Sequence, residues 1–107
     1  MEKQTYSYEE AYEESLRYFQ GDELAARVWV NKYAVKDSFG NIYEKSPKDM
    51  HWRIANEVAR IEAKYSNPLS AEELFDLLDH FKYIVPQGSP MTGIGNNYQV
   101  ASLSNCF

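Results

Sequence analysis

Apolar residues recur every three to four positions along most of the chain, which predicts a helical protein. In 5–20, Tyr8, Tyr12, Leu16 and Phe19 share one face of a first helix, with Ser7 as cap, Glu10 three residues on and Gly21 as the stop. The run Glu9, Glu10, Glu13 and Glu14 reads as a solvated face suited to the positive end of the helix dipole. Asp22 then caps a second helix ending near Tyr33, with Leu24 and Val28 inward and Ala25 and Trp29 beside them. The turn formers "KDSFGN", between "YAV" and "IY", predict a short β-hairpin or a broad turn.

Ser46 and Pro47 mark the start of a long third helix: serine is expected to accept free N–H groups, and proline suits the first helical position. It extends to about Tyr65 with Met50, Ile54, Val58 and Ile61 as its apolar stripe and Ala55 and Ala59 alongside. Arg53, Glu57, Arg60 and Lys64 are expected on the other face, and His51 as a surface or boundary side chain. After a turn at Ser66–Pro68, Ser70 and Glu73 cap a fourth helix that turns Leu74, Leu77, Leu78 and Phe81 inward. Each helix has one stripe to bury, so the four are expected to pack as a small antiparallel cluster.

Beyond Phe81 the period changes. "YIV" is a short extended apolar segment stopped by Pro86, and Gly88, Gly93 and Gly95 allow tight turning and exposed amides. This loop has neither the lysine of a Walker loop nor the spacing of a dinucleotide fingerprint. A β-rich segment follows (Tyr98, Val100, Leu103, Phe107), with Cys106 at its last step. We divide the chain into a helical domain, 1–82, and a loop with a terminal strand, 83–107. A strand that ends on a lone thiol is expected of an incomplete unit.

Composition narrows the functional classes. The 107 residues are 44% hydrophobic and 15% aromatic, enough for one folded domain with a modest core. A net charge of −5 disfavours a nucleic-acid groove, which needs basic residues against phosphate. No apolar run reaches the ~20 residues of a membrane span, and the polar, acidic N-terminus lacks a secretory pattern, so a cytoplasmic protein is expected. Two histidines and one cysteine, widely separated, make no metal box.

Hydrolase chemistry is not expected from Ser89 or Ser104, because no histidine is near in sequence and no carboxylate occurs from Lys82 onward. From the residues alone Cys106 reads either as a small packed apolar residue or as a redox group with a partner thiol elsewhere.

The tail "VPQGSPMTGIGNNYQVASLSNCF" resembles a segment of ribonucleotide reductase catalytic subunits, in which a proline-serine/threonine-proline loop precedes a strand bearing a redox cysteine. The upstream "LAARVWVNKYAVKDSFGNIYEKSPKDMHWRIANEVARIE" is similar to the same family, most of all to its cobalamin-dependent class II members. The resemblance implies a mainly α fold: the N-terminal helical layer of the large subunit, followed by the first strand of its ten-stranded α/β barrel. It also implies a role for each matching residue. Cys106 would be one of the two cysteines that reduce the ribose while forming a disulfide, and Ser89 and Asn105 would lie against substrate. Asn105 stands where relatives often carry serine or alanine.

The implied cofactor is adenosylcobalamin, bound mostly by parts outside this chain. The implied partners are the remaining C-terminal part of the subunit, a ribonucleotide substrate and a thioredoxin-like reductant, with no nucleic acid and no membrane. The radical cysteine, the second reducing cysteine and the asparagine/glutamate pair of the family's site have no counterpart before Phe107, and there is no N-terminal ATP cone. The 107 residues alone are therefore expected to be inactive. The competing reading is a non-catalytic helical interaction module whose tail adds a strand to a partner's sheet, with Cys106 merely packed.

Overall fold

The computed structural model describes residues 5–85, 91 and 93–96. It contains four helices in this span: α1 (Tyr8–Tyr18), α2 (Glu23–Lys32), α3 (Pro47–Glu62) and α4 (Ala71–Leu78), the last followed by a 3-10 turn at Asp79–Phe81. The predicted starts hold in detail at α1 and α4. Ser7 and Ser70 each accept from the backbone N–H three residues on, and Glu10 and Glu73 reach back to the cap amides, so both helices open on a reciprocal capping box. Asp22 caps α2 through the Ala25 N–H at 3.1 Å.

At α3 the expectation is corrected. Proline takes the first helical position, but the Ser46 side chain makes no capping bond. Asp49, in the first turn, accepts from the Lys45 N–H at 3.1 Å, which ties the incoming chain to the helix but caps none of its free amides.

The inward faces also differ from the apolar stripes. In α1 the buried residues are Ala11 and Ser15, while Tyr8 is exposed. In α2 they are Ala26, Trp29 and Val30, and Leu24 is 71% exposed. Trp29 is thus buried as expected, while on α1 the buried positions are held by the small residues Ala11 and Ser15 in place of the aromatic stripe. Met50 and Ile54 are buried as expected and Ile61 is exposed, since α3 runs past the edge of the core there. In α4 Leu74, Phe75 and Leu78 are buried, with Phe81 partly so.

Consecutive helices pair, α1 with α2 and α3 with α4, and α1 also touches α3. One core joins all four helices: Ala11, Trp29, Val30, Met50, Ile54, Leu74 and Phe75 belong to a single apolar cluster. The Trp29 indole N–H donates to the Met50 sulfur at 3.2 Å, and Trp52 stacks on Phe75 with ring centroids 4.1 Å apart.

Between α2 and α3 the chain makes a broad turn whose pairing is limited to isolated bridges, Lys36 with Ile42 and Tyr6 with Ile42. Asp37 organises it by accepting from the Asn41 side chain and from the Asn41 and Phe39 amides, which holds its carboxyl down to about 2. Lys36 folds back over the end of α2, donating to the Val30 carbonyl at 2.6 Å and the Ala34 carbonyl at 3.1 Å. Tyr83, Ile84 and Val85 are exposed, and the amides of Tyr83 and Ile84 both return to the Leu77 carbonyl. The expected strand at Tyr98–Phe107 lies outside the described residues.

Candidate functional site

Two polar hubs are built into this helical frame, one holding loop residues 91 and 94 and one where the chain leaves α4. The first is centred on Arg53, which α3 projects toward the segment from Glu44 and toward the glycine-bearing loop. Its Nε donates to Glu44 Oε2 at 2.8 Å, and its two terminal nitrogens donate to the carbonyls of Ile94 and Met91. The side chains of Arg53 and Glu44 are only 11% and 7% exposed, so this is a sealed ion pair and not the solvated face expected of Arg53. The second Glu44 oxygen accepts from the Val35 N–H at 3.1 Å. Burial pushes the Glu44 carboxyl up from its ordinary value, and the Arg53 charge pulls the other way.

Arg53 therefore ties three places together: the end of the broad turn, α3, and the loop. Gly95 makes the docking possible. Its φ is +73°, and a Cβ there would meet Arg53 Cγ at 3.0 Å and the Arg53 carbonyl at 3.4 Å. Both the conformation and the space call for glycine. Met91 is buried against the core, Ile94 packs beside it, and the turn closes through Asn96 N–H to the Gly93 carbonyl at 3.1 Å. Next to Gly95 a cleft of about 480 Å³ opens over Trp52, Arg53, Asn56, Glu57 and Arg60.

The second hub surrounds Tyr18. Its hydroxyl donates to Asp79 Oδ1 at 3.0 Å, accepts from the His80 N–H, and lies 3.3 Å from His51 Nδ1. The phenol has one proton and gives it to Asp79, so the proton of the His51 contact sits on Nδ1. His51 Nε2 is then a bare acceptor, buried without a partner. The imidazole has no exposed surface, which corrects the surface or boundary placement expected for it. Burial, with lesser contributions from its neighbours, holds His51 down to about 4. Burial and the Asp79 contacts raise the Tyr18 phenol, against the His80 amide.

Around this hub His80 and Phe81 take left-handed backbone conformations, φ 55° and 54°, and the His80 ring stacks on Tyr18 at 4.3 Å. The two histidines, distant in sequence, thus meet at one tyrosine. Among the described residues no three of His, Cys, Asp and Glu group as metal ligands.

Of the residues expected to act, Ser89, Asn105 and Cys106 all lie outside the residues that the structure describes. It does place the loop residues Met91 and Gly93–Asn96, which follow Ser89 directly, against α3. Neither Arg53 nor Glu44 is among the expected site residues. No local pattern marks them, because the bonds that matter span 38 and 41 residues.

Residues 19–93 match the family model described as ribonucleotide reductase, all-alpha domain. No curated protein and no solved structure gives a significant match. The matched span takes in α2, α3, α4 and Met91, stops one residue short of Ile94, and covers well over half of the sequence. The four helices of the described residues agree with an all-alpha domain, and the chain belongs to the ribonucleotide reductase all-alpha domain family, as part of a large subunit.

Proposed function

We propose that the chain is the N-terminal helical part of a ribonucleotide reductase catalytic subunit, of the adenosylcobalamin-dependent type, and that it contributes one redox cysteine and a substrate loop to the complete enzyme. The family match over residues 19–93 carries this reading. The resemblance of the tail gives the roles: Cys106 is one of the reducing pair, and Ser89 and Asn105 contact the ribonucleotide. In the overall step two thiols become a disulfide, one hydrogen is delivered to C2′, and the 2′ hydroxyl leaves with the other as water. The helical layer supports this chemistry by fixing the loop ahead of Cys106, since hydrogen transfer tolerates displacements of only a fraction of an ångström.

The described residues do not fit adenosylcobalamin. The cleft at Gly95 is lined by paired charges, and the one buried imidazole acceptor is sealed in the core. Its binding belongs to the remainder of the subunit, which is also this chain's first partner. Activity of the complete enzyme with a separate radical-generating subunit and without adenosylcobalamin would reverse the class assignment.

The deciding test is Cys106→Ser in the complete catalytic subunit, assayed for ribonucleotide reduction with a thioredoxin-like or dithiol reductant. Loss of turnover with intact assembly is expected. Full turnover in the variant would refute the redox role, and turnover by the 107 residues alone would refute the dependence on the rest of the subunit.

A further inference from the structure

The cleft of about 480 Å³ beside Gly95 is of the size that small ligands occupy. Its aromatic wall is backed by the core: Trp52 is stacked on Phe75 with ring centroids 4.1 Å apart and planes within 10°. Tyr43 and Val35 add further surface from the segment between α2 and α3.

The charges that line it are unequal. Three carboxylates, Glu44, Asp49 and Glu57, face two guanidiniums, Arg53 and Arg60, which leaves one negative charge over. Both guanidiniums are committed. Arg53 has its Nε on Glu44 and its terminal nitrogens on the Ile94 and Met91 carbonyls, and Arg60 holds Glu57 through its Nε at 3.1 Å and a terminal nitrogen. Asp49 is the carboxylate without a cation. Among the described residues its side chain accepts one hydrogen bond, from the Lys45 N–H to Oδ2, and forms no ion pair. The Asn56 side chain makes no hydrogen bond among the described residues either.

An anion entering here would meet the Asp49 charge with no guanidinium left to receive it. A neutral apolar group would fill the space and strip water from a carboxylate that has no counter-charge. A cation on an apolar stem avoids both costs, because the carboxylate takes the charge and the ring faces take the stem and add a cation–π attraction. We propose that this cleft binds an ammonium or guanidinium group carried on an apolar stem, with Asp49 as its counter-ion and Trp52 and Tyr43 as its aromatic wall. Nothing in this site depends on the reductase chemistry. Two sources share the required chemistry: a free amine, and a lysine or arginine side chain from the rest of the large subunit.

The test titrates benzylammonium, benzyl alcohol and benzoate, similar in size and different in charge, into the 107-residue chain. Binding is followed by the NMR signals of the Trp52 indole and the Asn56 amide, with the Trp29 indole, buried against Met50, as internal reference. Benzylammonium is expected to bind about tenfold more tightly than benzyl alcohol, and benzoate not at all. Asp49→Asn, which keeps an acceptor for the Lys45 N–H, should cut that preference to less than about twofold. Arg60→Gln leaves Glu57 unpaired and should strengthen binding, while Glu13→Gln, at an exposed position on α1, should change nothing. Equal binding of the three probes, no shift of Trp52 with any of them, a preference that survives Asp49→Asn, or an equal loss in Glu13→Gln overturns the proposal. Benzylammonium added to the complete catalytic subunit, read by saturation transfer, then separates the sources. A signal that Asp49→Asn removes assigns the cleft to a free amine. No signal, with Asp49→Asn lowering the melting temperature by more than it does in the 107-residue chain, assigns it to a basic side chain of the rest of the subunit. No signal without that excess overturns the proposal.

Discussion

Replacing His51 by leucine should remove a pH dependence that the wild-type fold carries between about pH 4 and 6.5. His51 has no exposed surface, its Nε2 has no partner, and burial holds it down to about 4 from an ordinary 6.5. Because the folded-state value is depressed, the unfolded chain binds one more proton than the native chain between these limits. Stability is then fully present above about pH 6.5 and falls as the pH drops toward 4. A shift of this size, at 1.36 kcal/mol per unit, is worth about 3 kcal/mol. That is a large share of the ~5–15 kcal/mol typical of a domain.

The measurement is urea unfolding at a series of pH values from 4 to 7, for wild type and His51→Leu, with stability from the midpoint and slope. The Asp37 carboxyl, held to about 2, titrates below this window, and the raised Glu44 carboxyl is common to both proteins and cancels in their difference. The difference should grow in favour of the variant by about 3 kcal/mol between pH 6.5 and 4. Parallel curves for the two proteins would mean that the imidazole is hydrated or paired, and the burial argument would fail.

Tyr18→Phe should cost about 1–3 kcal/mol at pH 7, since it strips Asp79 and the His80 amide of a partner at once, and it should remove this phenol's share of the stability lost above about pH 10. Thermal unfolding at pH 7 and pH 10.5 checks both parts. Ser7→Ala and Ser70→Ala should each cost about 1 kcal/mol and add in the double variant, because the two caps lie on different helices and share no partner. Chemical unfolding of the singles and the double tests this, and a double-variant loss well below the sum would contradict it.

Helix starts were legible because caps are local: Ser7 with Glu10 and Ser70 with Glu73 place donor and acceptor within one turn. Helix faces were less so. An apolar stripe tells which residues lose least by burial, yet Ala11 and Ala26 are wholly buried while Leu24 is exposed, because the separation between helices depends on the partner's surface as well. Arg53 and His51 were misplaced for the same reason in stronger form. Nothing within a few residues of Arg53 announces that Met91 and Ile94 will return to it, and nothing near His51 announces Tyr18 and Asp79. Polar groups that close long loops are set by tertiary structure, and periodicity carries no information about them. The three expected site residues, Ser89, Asn105 and Cys106, fall outside the described residues.

The two hubs divide the work of the fold in a way that apolar packing alone would not. The cluster of Trp29, Val30, Met50, Ile54, Leu74 and Phe75 joins the helices, but such contacts are non-directional and tolerate small slides of one helix along another. The hydrogen bonds at Tyr18 and Arg53 have narrow geometries, and they sit at the two points that set the path of the chain after α4. At the first, His80 and Phe81 hold left-handed conformations that ordinary residues avoid at a cost of about 1–3 kcal/mol each, and Tyr18 grips this bend through Asp79 and the His80 amide. At the second, Arg53 takes hold of the carbonyls of Met91 and Ile94. A domain whose task was only to fold, or only to present an apolar face, would have no use for fixing that path twice with costly polar groups. In this large-subunit domain the polar groups hold residues 79–80 against α1 and residues 91 and 94 against α3 with a precision of direction that apolar packing does not supply.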